Sequence, residues 1–77
     1  MQYAVFIERE PGAPTIAAYS PGVNLTVVRD ASVSDDEILV DFQEDLDFFF
    51  QTLKEDGLPI PPPQLPGPGD LSVTVLP

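Results

Sequence analysis

The sequence predicts an α+β domain ordered β-β-β-α-β, with one long helix packed on one face of a four-stranded mixed sheet of strand order 3-2-1-4. Three observations predict it. Short β-rich runs separated by proline and glycine turns fill the first thirty residues, an amphipathic run with its own start and stop signals fills the middle, and an alternating run follows a proline-rich stretch. At 77 residues there is room for a single domain, 1–77. A domain of this size buries only about 60% of the surface its unfolded chain exposes, so the core must be thin.

The first strand, about residues 2–9, alternates Tyr3, Val5 and Ile7 with Ala4, Phe6 and Glu8. Pro11, Gly12, Ala13 and Pro14 end it, and the connection is short enough that the second strand, 15–19, must return antiparallel. Ser20, Pro21 and Gly22 turn the chain into a third strand, about 24–29, which carries the aliphatic and β-branched residues of 25–29.

The helix, about 35–56, is written most fully. Ser34, Asp35, Asp36 and Glu37 form an S-x-x-E capping box, Val33 and Ile38 stand in the staple positions, and the acidic first turn suits the positive end of the helix dipole. Ile38, Phe42, Leu46, Phe49 and Leu53 recur at three- and four-residue steps, with Leu39 and Phe50 widening the stripe. Gly57 suits the left-handed position after the helix, Leu58 can contact Leu53 as a Schellman motif requires, and Pro59 forbids continuation. A stiff proline-rich connector over 59–69 leads to a last strand, about 70–76, in which Leu71, Val73 and Val75 alternate with Ser72 and Thr74. A crossover through a helix returns the chain in parallel, so this strand is expected to pair with the first and make the sheet mixed.

Composition limits function. There is no cysteine for a disulfide or thiolate site and no histidine for zinc or general-base work, so no metal, cofactor or catalytic residue is assigned and a non-enzyme is expected. Glu8 or Glu10 with Glu44 and Asp70 could be offered to a pair of divalent ions, but Glu44 belongs to the helix face turned from the sheet. Thirteen acidic residues against Arg9, Arg29 and Lys54 give a net charge of −10, which repels nucleic acid and anionic lipid and attracts basic protein. Residues 1–7 lack a basic leader region and no apolar stretch is long enough to span a bilayer, so a cytoplasmic location is expected.

Two groups of residues suggest contact surfaces. If Tyr3, Val5 and Ile7 face the helix, then Phe6, Tyr19 and Val28 look out from the uncovered side of the sheet, where an apolar face implies an interface. Val40 and Phe48 lie off the core stripe among Glu44 and Asp47, whose carboxylates would steer a basic partner. The bland alternatives are solubility for the acidity and ordinary surface exposure for the apolar residues. Pro63, Gln64, Leu65 and Pro66 form a P-x-x-P sequence without the flanking basic residue that would support groove binding.

The phrase running from Leu53 through Lys54, Glu55, Asp56, Gly57, Leu58, Pro59, Ile60 and Pro61 to Pro63, after an amphipathic helix and three short strands, resembles the N-terminal domain of HicB-type antitoxins. The opening strand and the Pro21–Gly22 turn are similar as well, whereas the family's longer turn and its acidic lead into the helix are replaced by Ser20 to Val23 and Asp30 to Ile38. The resemblance implies a partial ribonuclease-H-like sheet that neutralises a small basic toxin ribonuclease by covering its RNA-binding surface, and it implies self-association as a homodimer. No DNA-binding module is expected after Pro77, hence no direct nucleic-acid contact. The alternative is a stand-alone homo-oligomeric domain without a toxin.

Overall fold

The computed structural model describes residues 1–75. Strands β1 (Gln2–Glu8), β2 (Thr15–Tyr19) and β3 (Thr26–Asp30) form an antiparallel meander, helix α1 covers Asp35–Glu55, and β4 (Leu71–Thr74) completes the sheet in the order β3-β2-β1-β4. Element order, strand order and the single helix on one face are as expected. The third strand sits one to two residues later than predicted. The last strand is shorter, since Asp70 belongs to a turn and Leu76 lies outside the described residues.

One expectation is overturned: β4 pairs with β1 antiparallel, Tyr3 opposite Val73, so the sheet is wholly antiparallel and not mixed. The connector explains the reversal. Helix α1 descends from the Asp30 end of the sheet and brings Phe50 to 5.2 Å from the Tyr3 ring, near the start of β1. A strand starting there would run parallel to β1. Instead Tyr3 donates its hydroxyl to the Pro61 carbonyl (2.6 Å) and Ala4 donates its amide to the Gln64 carbonyl (3.0 Å), so the chain climbs beside β1 and β4 begins at Leu71, opposite Val5. Extended proline-rich chain advances about 3 Å per residue, ample for that climb.

The connector also crosses β1. Met1 and Val75 exchange both backbone bonds at 2.8 Å, which fixes Met1, Tyr3 and Val5 as the residues bonding toward β4 and leaves the Ala4 amide pointing to the β2 side. Gln64 takes the place there that β2 has vacated by ending at Tyr19 opposite Phe6. Between Gln64 and Leu71 the chain must therefore pass over the face away from the helix. Ala4, whose side chain is on that face, is accordingly 0% exposed.

The core lies between the other face and the helix. Ile38, Phe42, Leu46 and Phe50 are buried at a strict four-residue step against Tyr3, Val5, Ile16, Val27 and Val73, while Leu39, Phe49 and Leu53 pack only at the margin. The centre of the stripe thus follows Phe50 rather than the predicted Phe49 and Leu53. Polar contacts hold both flanks. Arg29 of β3 meets Asp41 at 3.0 Å and Asp45 at 3.8 Å, and on the far side the Gln43 amide bonds the Thr74 backbone.

The helix ends match their signals closely. Ser34 accepts the Glu37 amide (3.2 Å) and donates its hydroxyl to the Glu37 carboxylate (3.1 Å), so the glutamate closes the box on the serine side chain. At the other end Leu58 donates to the Leu53 carbonyl (2.9 Å) and Gly57 to Lys54 (3.2 Å), with Gly57 at φ 71°, the Schellman arrangement that only a residue without Cβ adopts freely. Leu58 itself stays half exposed.

Burial raises the Tyr3 phenol above its ordinary pKa. Its unfolded form ionises near pH 10, so the resulting stability is complete below about pH 10 and lost as pH rises toward the folded value. Tyr3→Phe should remove that alkaline loss and, by deleting the bond to Pro61, cost about 1 kcal/mol at neutral pH. Urea unfolding of both proteins across about pH 8–11 checks this, and parallel curves would refute the assignment.

Candidate interaction surfaces

The predicted contact residues fall into two groups on opposite sides of the two-layer domain, so they cannot form one site. The sheet group follows from register. Phe6 lies opposite Tyr19, with ring centroids 5.8 Å apart, and Tyr19 lies opposite Thr26; in the next row Glu8, Ala17 and Val28 line up. All of these point away from the helix, as expected for Phe6, Tyr19 and Val28. The patch is smaller than an entire bare face, because the connector seals Ala4 and polar Thr15, Thr26, Asp30 and Ser72 share the same side. Phe6 and Tyr19 are partly buried against each other and Val28 is 52% exposed.

The helix group is more open. Val40, Glu44 and Phe48 follow one another at four-residue steps along the face opposite the buried row, with Val40 58% and Phe48 74% exposed. Asp47 lies beside this row and also faces a groove with Gln43, Gln51 and Lys54. Glu44 and Val40 border a second groove of about 300 Å³ that reaches Ser72 and Val73 of β4.

Charge is distributed unevenly between internal and external use. Arg9 donates to the Ala31 and Val33 carbonyls and to Asp35 (2.8 Å), binding the end of β1 to the helix start, and Arg29 is taken by Asp41 and Asp45. Among the described residues Lys54 is the one cationic side chain outside these ion pairs. The Ser32 amide donates to Asp30 (2.9 Å) and holds that carboxyl below its usual range, while Asp70 accepts from the Gly67 amide (2.8 Å). Glu8, Glu10, Glu44 and Asp70 do not converge. No cluster of three or more potential metal-ligating side chains occurs among the described residues.

The P-x-x-P sequence is not presented as a free ligand, since Pro63 and Pro66 are partly buried and Gln64 is bonded to β1. Among the described residues no helix is long and apolar enough to cross a membrane. Sequence reasoning missed Gln43, whose partner Thr74 is 31 residues away. A single glutamine in an acidic helix gives no local signal of such a contact. No family model, curated protein or solved structure matches the chain.

If Val40 and Phe48 are surface residues outside the core, Val40→Ser and Phe48→Ser should each shift unfolding free energy by no more than about 0.5 kcal/mol. Leu46→Ala should cost about 2–5 kcal/mol. Chemical denaturation of the three variants separates the two classes, and a core-sized loss at Phe48 would remove it from the surface.

Proposed function

We propose that the chain is a protein-binding module that receives a small basic partner on the outer face of α1, in the manner of an antitoxin covering the RNA-binding surface of a toxin ribonuclease. The observation that carries this reading is the row Val40, Glu44, Phe48: two open apolar side chains flanking a carboxylate on a helix whose neighbouring cation, Arg29, is already engaged. Apolar anchors surrounded by charge are what a hot spot with a steering rim requires, the anchor setting the lifetime of the complex and the rim its rate of formation. The reading is of a binder, not a catalyst, and the same negative field disfavours nucleic acid as a direct ligand.

A second reading, self-association through the sheet, is favoured by Phe6, Tyr19 and Val28. That side carries fewer carboxylates than the helix, so two copies meeting there would keep their acidic helices apart.

The product of a neighbouring gene is the partner to test, if it is a small basic protein. At low salt Glu44→Lys combined with Asp47→Lys should slow association about 10-fold, with the difference shrinking at high salt. Phe48→Ala should speed dissociation by about 30-fold, corresponding to a hot spot of about 2 kcal/mol. Stopped-flow or surface-binding kinetics reads both. Unchanged rates in both variants would overturn the helix-face reading, and a dimer that resists dilution but is lost in Val28→Lys would favour the sheet.

A further inference from the structure

The free edge of β4 is unusual for this chain. Residues 71–75 carry no ionisable side chain in a protein of net charge −10, and they alternate Leu and Val with Ser and Thr, a pattern suited to strand pairing. Because Met1 and Val75 form a doubly bonded pair, the backbone groups of Ser72 and Thr74 point away from β1 along this edge.

Thr74 is closed from within the chain. The Gln43 side-chain amide donates to its carbonyl, and the Thr74 N–H donates back to the Gln43 amide oxygen at 3.3 Å. A carboxamide offers the same donor and acceptor as a peptide group, so Gln43 replaces one rung of an absent strand. At the other end of the edge Asp70 donates its amide to Gly67 (3.1 Å). Among the described residues the Ser72 rung alone is left open between these closures. The β3 edge is treated similarly, with Arg29 donating to the Val28 carbonyl at 2.8 Å. Unpaired edges template association, and side chains that occupy them suppress it.

We propose that Gln43 is a latch that keeps β4 from pairing with β4 of a second copy of this chain. A second copy fits because antiparallel pairing about a two-fold axis at Ser72 sets Leu71 opposite Val73 and meets no charge between Leu71 and Val73, the Asp70 carboxylates lying at the two ends of the ladder. Thr74 would then pair with Asp70 of the other copy, and the Gln43 amide stands in that position. With the latch in place the ladder cannot extend beyond Ser72. With it removed, the Thr74 N–H is an orphaned donor that the Asp70 carbonyl of a second strand can accept, the Asp70 amide staying with Gly67.

Gln43→Ala tests the latch, since alanine keeps the helix; Gln43→Met, which retains length but has no amide, is the second variant. Sedimentation over a concentration series at low and high salt reads association, and amide exchange at high dilution reads Thr74. Both variants should dimerise at least about 10-fold more tightly than the parent, roughly the worth of one or two hydrogen bonds, and exchange at the Thr74 amide should accelerate. Salt should strengthen this dimer by screening like charge, the opposite of its effect on a basic partner. Adding Ser72→Pro, which removes the edge N–H, should restore the parent's behaviour. Variants that associate no more than the parent, or a dimer that survives Ser72→Pro, would overturn the proposal.

Discussion

The fold depends on one narrow apolar ridge. Ile38, Phe42, Leu46 and Phe50 are the only helix residues driven to near-zero exposure, and every strand contributes to the surface they press on. Rows at a four-residue step run obliquely to the helix axis, so such a ridge fixes where the helix lies but resists rolling only weakly. The two flanking contacts supply that resistance, Arg29 with Asp41 and Asp45 on the β3 side and Gln43 with Thr74 on the β4 side. They are partners to the ridge and no substitute for it. Half-exposed ion pairs are worth at most about 1 kcal/mol, whereas each large side chain in the ridge is worth several-fold more.

Much of this was legible because it is local. The helix termini are encoded within five residues on either side, and the sides of the strands follow from alternation once one strand is oriented, which is why Phe6, Tyr19 and Val28 were placed outward correctly. The direction of β4 was not legible. It depends on the Tyr3 hydroxyl reaching Pro61 and the Ala4 amide reaching Gln64, contacts separated by about sixty residues that leave no periodic trace. The rule that a helix crossover returns in parallel presumes a short path from helix to strand, and here a long connector climbs first. Phe49 and Phe50 likewise offered equal apolar claims, and packing against the Tyr3 ring decided between them.

The acidity of the chain divides by role once the contacts are known. Nine carboxylates fall between Asp35 and Asp56, but Asp35, Asp36 and Glu37 sit in the first turn where the helix dipole favours them, and Asp41 and Asp45 are paired with Arg29. Glu44, Asp47, Glu55 and Asp56 are left to the solvent side and the helix end. The uncompensated acidic surface is therefore narrower than composition suggests, with Glu44, four residues from both Val40 and Phe48, and Asp47, adjacent to Phe48, in its middle.

Size bears on how these surfaces could be used. A standard interface takes about 800 Å² from each partner, roughly a sixth of the 4920 Å² of this molecule. On the sheet side the connector has already covered Ala4, so the apolar group left is a pair of mutually shielded rings beside Val28. On the helix side Val40 and Phe48 are two turns apart, about 12 Å, a spacing that fits the centre of such an interface with carboxylates at its rim. The connector, by turning β4 around and sealing part of the sheet, thus shifts the balance of available surface toward the helix.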